Sequence, residues 1–128
     1  MAIARYKDLC MDAGDPATLG VFWAGALGLT WRVRDGGEGL LTGPTKRHAI
    51  WVSKVPEPRT VKNRVHLDVY ARDLADLQAL GAIVLEPQTG QRTWTVMADP
   101  DGGEFCAFLR GEPRDERLHA LVVDCADP

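Results

Sequence analysis

Residues 56–81 read PEPRTVKNRVHLDVYARDLADLQALG, and this stretch decides the fold. Pro56-Glu57-Pro58 cannot join a central strand or a helix interior, so it separates two halves of the chain. From Arg64 to Ala71 the residues alternate strictly. Val65, Leu67 and Val69 fall on one side, His66, Asp68 and Tyr70 on the other, as in a half-buried strand. Asp73 is then placed to cap a short helix carrying Leu74, Leu77 and Leu80, and Gly81 ends it.

The same order of signals occurs before the linker. Ala4 to Ala13 alternates and predicts a strand. Asp15 is a helix cap and Pro16 suits the first helical position. Leu19, Phe22, Trp23, Ala26 and Leu27 form an apolar helical stripe that stops at Gly28. Leu29 to Arg34, Gly39 to Thr42 and Arg47 to Val55 are three strand candidates, parted by Asp35-Gly36-Gly37 and Gly43-Pro44. After Gly81, Ile83 to Leu85, Arg92 to Ala98 and Glu104 to Leu109 are three more. Thr89-Gly90 and Asp99-Pro100-Asp101-Gly102-Gly103 part them. Each half is therefore strand, Asp-capped helix with a Leu-Gly exit, and three strands. Laid over each other, Asp8 falls on His66 and Asp15 on Asp73. We read an internal duplication: one α+β domain over 1–128, module one about 4–55 and module two about 62–110.

The tail is a further repeat signal. Residues 118–128, LHALVVDCADP, match residues 6–16, YKDLCMDAGDP, at Leu, Asp, Asp and Pro positions. A strand over 117–125 is expected. It is either the start of another module, in which case the chain is a truncated piece of a longer tandem protein, or an added edge strand.

Composition narrows the function. The chain has 128 residues, 45% apolar and 26% charged, with a formal net charge of -3. That is enough to bury a core. Lys62-Asn63-Arg64 is too short a basic run for a nucleic-acid footprint. No stretch has the length of a membrane span or of a signal-peptide apolar core. Three cysteines, Cys10, Cys106 and Cys125, without close pairing argue against a disulfide framework. Free thiols in a reducing cytoplasm are the expectation, with Cys10 and Cys106 buried and inert rather than redox-active.

Three segments carry a family resemblance: residues 15–29 (DPATLGVFWAGALGL), 61–69 (VKNRVHLDV) and 98–108 (ADPDGGEFCAF). They resemble the glyoxalase/bleomycin-resistance/dioxygenase, or vicinal oxygen chelate, superfamily, and within it the glyoxalase-like domain branch common in bacteria. The resemblance spans about residues 4–110. It implies two βαβββ modules forming a cup-shaped mixed sheet with helices outside, and a small organic molecule bound in the cup. In many members the cup holds one divalent metal, with one ligand from the first and last strand of each module. By matching motifs, those positions are Asp8, Trp51 or a neighbour, His66, and Cys106. Metal-dependent members carry Glu where Cys106 stands, and Glu104 is two residues away on the same face. The metal set expected from the resemblance is His66 and Asp8 with one of Glu104 or Cys106, Glu104 being also the catalytic group and zinc, nickel, iron or manganese the ion. Indole cannot ligate, so the alternative is a metal-free cup in which His66 and Asp8 pair directly.

By strand parity, Trp51, Ser53, Asp68, Tyr70, Cys106 and Phe108 are expected to contact the ligand. His48 differs in parity from Trp51 and is expected on the other side. The parity of Trp31 and Trp94 is not assignable from the sequence. Two functions follow. One is a binding module for a small aromatic or amphipathic molecule. The other is a metal-dependent lyase, isomerase or dioxygenase acting on vicinal oxygens. Uncovered sheet edges favour a homodimer.

Overall fold

The structure is a computed structural model that describes residues 1–111 and 118–126. It divides into two compact units, residues 1–58 and 59–128, with the break in the proline linker.

Unit one runs β1 (Leu9–Ala13), α1 (Pro16–Leu27), β2 (Thr30–Val33), β3 (Gly39–Thr42) and β4 (Ile50–Lys54). Its four strands lie in the order β1-β4-β3-β2, with β1 parallel to β4 and the other pairs antiparallel. The helix begins and ends where local chemistry dictates. The Asp15 carboxylate accepts from the backbone N–H groups of Ala17 and Thr18 and from the Thr18 hydroxyl. Pro16 takes the first turn, where its missing N–H costs nothing. Gly28 closes the last turn with φ 69°, a left-handed conformation that glycine adopts without strain. Leu19, Phe22 and Trp23 on α1 are buried with Leu41, Ile50 and Val52 of the sheet. Phe22 and Trp23 meet edge to face at 5.1 Å. Trp31 lies where a Cβ on Gly20 of α1 or on Gly39 of β3 would stand, at 2.3 and 2.1 Å from its ring. The two glycines thus make room for the indole between helix and sheet.

Unit two repeats the plan with β5 (Val65–Ala71), α2 (Leu74–Ala79), β6 (Ile83–Glu86), β7 (Thr95–Ala98) and β8 (Glu104–Leu109), then adds β9 (Leu118–Val123). The order is β6-β7-β8-β5-β9. β5 and β8 pair in parallel, as β1 and β4 do. Asp73 caps α2 through the Ala75 N–H. Leu67, Val69, Leu77, Met97, Phe105 and Ala107 form the core. β9 lies antiparallel along β5, with His66 opposite Val122 and Asp68 opposite Ala120. The tail segment is therefore an edge strand of the second sheet, with a bulge beside Asp68. The expected strand over 4–13 is shorter in fact. Its partner β4 begins at Ile50, opposite Leu9, so the residues before Leu9 have no ladder to join.

The fold is thus α+β, built of two βαβββ modules. Among the described residues, no helix is long and apolar enough to cross a membrane.

Candidate functional site

The internal duplication aligns equivalent positions of the two modules. Asp8 and His66 each precede their capping aspartate by seven residues, and Cys10 and Asp68 by five. In module one Cys10 is the register partner of Trp51; in module two Asp68 is the partner of Cys106. The two modules carry different chemistry at these matched places.

In module two the alternation of β5 and β8 puts Leu67, Val69, Phe105 and Ala107 into the core. His66, Asp68, Glu104, Cys106 and Phe108 are left on the opposite face. They border an open groove of about 600 Å3, which Trp94, Val96 and Val122 also line. Nε2 of His66 lies 3.4 Å from Oδ1 of Asp68, and both side chains are only 14% exposed. Cys106 joins them: one ligand atom from each of the three residues falls within 4.8 Å of the others. Burial pushes the Cys106 thiol up to about 11, and the neighbouring Asp68 carboxylate adds to the shift by charge and by accepting the thiol hydrogen bond. Lys62 acts in the opposite sense but does not prevail. Its ammonium is shared between Glu104 at 3.6 Å and Asp124 at 3.7 Å.

The other end of the groove is aromatic. Trp94 and Phe108 have centroids 5.8 Å apart with a 32° tilt, and Phe108 meets Tyr70 edge to face at 6.5 Å. Arg92 stands over Trp94 and is ion-paired with Glu86. A turn anchors the start of β8. The Asp99 carboxylate accepts from the N–H groups of Asp101 and Gly103, and Gly102 has φ 84°. That turn fixes where Glu104 and Cys106 enter the face.

Module one is arranged differently. Asp8 precedes β1; its carboxylate accepts from the Trp51 indole N–H at 3.2 Å and pairs with Lys7 at 2.5 Å. Lys7 and then Trp51 hold its carboxyl below the usual range against a desolvation penalty. Trp51 and Asp8 line a separate groove of about 660 Å3 with Tyr6, Lys46 and Arg47. Ser53 sits on β4 and lines neither groove. His48 lies in a short turn before β4, bound to Thr45. Cys10 is exposed on the edge strand β1, against the expectation of a buried thiol, and only Cys106 of the three is buried.

Of the residues singled out in the sequence, the structure brings His66, Asp68, Glu104, Cys106 and Phe108 to one groove, with Tyr70 beside it. Asp8, Trp51 and Ser53 belong to unit one. Sequence reasoning missed Lys62, Trp94 and Val122. Lys62 stood in a basic run judged only as a nucleic-acid signal. Val122 reaches the groove through the non-local β5–β9 pairing.

Comparison with known proteins agrees with this architecture. The model of the glyoxalase-like domain matches residues 8–108. No curated protein matches the chain significantly. Solved structures similar to it include a glyoxalase/bleomycin resistance protein/dioxygenase family enzyme from Burkholderia phytofirmans PsJN. That structure is 15% identical with TM-score 0.59, covering 79% of this chain and 94% of that one. A glyoxalase/bleomycin resistance protein from Albidiferax ferrireducens T118 is 20% identical with TM-score 0.59, covering 82% and 98%. A glyoxalase I mutant from Zea mays is 15% identical with TM-score 0.60, covering 84% of this chain and 46% of that one. At these identities the likeness is one of fold. With the family model spanning both modules, the chain belongs to the glyoxalase-like domain family.

Proposed function

We propose that the protein binds a small organic molecule with an aromatic portion in the groove of its second module. One observation carries this reading: an aromatic wall of Trp94 and Phe108 runs into a compact polar group, His66, Asp68 and Cys106, on one strand face. Apolar walls with a few converging polar groups suit such ligands. Magnitudes explain why both ends are needed. Covering one ring, about 150 Å2, gains roughly 4 kcal/mol at ~25 cal/mol/Å2. Association costs at least about that much in lost freedom. Hydrogen bonds from the polar end therefore decide affinity.

A second reading, a metal-dependent lyase, isomerase or dioxygenase, is favoured by the closeness of an imidazole, a carboxylate and a thiol. These donor types suit a divalent transition metal, and His66, Asp68 and Cys106 would hold it. When bound, such an ion acts as a Lewis acid on substrate oxygens. In this reading Glu104, held by Lys62, moves the proton, and Trp94 and Phe108 orient the substrate.

A thermal-shift panel of phenols, catechols and aromatic carboxylates, run with and without chelator, separates the two. Stabilisation that persists in chelator and is reduced in Trp94→Ala supports metal-free binding. Stabilisation seen only without chelator supports the second reading. If no compound stabilises the protein in either condition, both fail.

A further inference from the structure

We propose that module two alone holds a thiophilic, zinc-class cation on His66, Asp68 and Cys106. This deepens the second reading above and rests on it. The resemblance points to ligands shared by the two modules, but in module one Trp51 stands where module two has Cys106, and the Asp8 carboxylate is already engaged. Trp51 offers only an N–H, and it spends that on Asp8, whose carboxylate also pairs with Lys7. Asp68 stands where module one has Cys10, and it supplies the missing ligand from within module two.

The geometry fits a small four-coordinate site. His66 and Asp68 lie on one face of β5, and Cys106 is the direct register partner of Asp68 on the adjoining strand β8. β5 and β8 are interior strands of the five-stranded sheet, so neither ligand-bearing strand is an edge. A tetrahedral zinc centre with bonds of about 2.0–2.3 Å sets its ligand atoms roughly 3.3–3.8 Å apart. The His66–Asp68 separation is 3.4 Å, and the widest spread in the group is within 4.8 Å, so a shift of about 1 Å closes it. All three donor residues line the groove.

Charge points the same way. Asp68 lies 3.4 Å from His66, and the Glu104 carboxylate lines the same groove. The facing cation is Lys62, mostly exposed and shared between Glu104 and Asp124. On β6 and the segment before β7, Arg92 is committed to Glu86, and β9 contributes Val122. A soft thiolate with an imidazole selects zinc-class ions over magnesium and calcium, which demand oxygen ligands. Binding replaces the Cys106 proton, which leaves to solvent as the sulfur–metal bond forms.

The test is cobalt titration of the full chain, stripped with chelator and kept reduced, followed by absorbance. The expected result is one equivalent of Co2+ bound, with a thiolate-to-cobalt charge-transfer band and four-coordinate d–d bands. Zinc should displace it and excess magnesium should not. Cys106→Ser should lose the charge-transfer band while keeping the wild-type circular dichroism, and a Cys10→Ser/Cys125→Ser variant should keep the band. Asp68→Asn should weaken cobalt binding at least as much as loss of an outer-shell partner does, about 10–100-fold. Cobalt bound without the band, and lost in Asp8→Asn but not Asp68→Asn, overturns this site and leaves the metal reading standing. No cobalt binding overturns both.

Discussion

Asp68 is shared by His66 and Cys106: its Oδ1 is 3.4 Å from the imidazole Nε2, it is the register partner of Cys106, and one ligand atom from each of the three lies within 4.8 Å of the others. The carboxylate thus links two strands at the polar end of the groove. It favours the protonated thiol in the metal-free protein, and it offers an oxygen to any cation that displaces that proton.

The thiols should react unequally. With its pKa near 11, Cys106 is almost entirely protonated at pH 8, so alkylation by iodoacetamide should be much slower there than at the exposed Cys10 and Cys125. Asp68→Asn removes a raising charge and should speed modification of Cys106 in the metal-free protein. Peptide mapping after timed alkylation reads both. Equal rates at all three thiols would contradict the burial.

Gly20→Ala should destabilise the protein. The added Cβ would stand 2.3 Å from the Trp31 ring, and the indole is fitted between Gly20 and Gly39. Overpacking of this kind costs about 1–3 kcal/mol. Urea unfolding should show a lower midpoint at unchanged slope. Gly90→Ala, with open space around it, should not be lowered in this way.

The cap of α1 should give an acid-sensitive part of the stability. The Thr18 hydroxyl and N–H hold the Asp15 carboxyl below its usual range. A carboxyl whose folded pKa is depressed stabilises fully above its unfolded value of about 3.9, and that contribution disappears as pH falls through the lower folded value. Asp15→Ala should therefore be less stable than wild type at pH 6, with the gap narrowing below about pH 4. Thermal melts across that range test the sign; a gap that widens in acid would refute it.

Trp94→Ala and Phe108→Ala should each weaken binding of any aromatic ligand, while an exposed change outside the groove lining, such as Val33→Ala, should leave it unchanged. Loss of one ring contact of about 1 kcal/mol corresponds to roughly five-fold in Kd. Calorimetric titration of the three variants measures it.

The duplication was legible because its signals are local. Asp15-Pro16 with Gly28, and Asp73 with Gly81, mark helix ends through side-chain and backbone chemistry within a few residues. The facing of His66, Asp68, Cys106 and Phe108 was legible because a strand alternates with period two. Non-local pairing was not. Residues 4–8 alternate like a strand but have no opposite number, since β4 starts at Ile50. Trp94 lines the groove with Val96, two residues on, but the local sequence does not say which face of that strand turns to the core. Cys10 was expected to face the cup as a buried thiol, but it lies on the outer-facing, exposed positions of β1 with Asp12.

The most direct test of the binding account is a 15N–1H correlation titration with whichever aromatic compound most stabilises the protein. The account predicts shift changes concentrated at His66–Tyr70 of β5, Glu104–Phe108 of β8 and the Trp94 indole N–H. Changes strongest on β1 to β4, or none at any resonance, would contradict it.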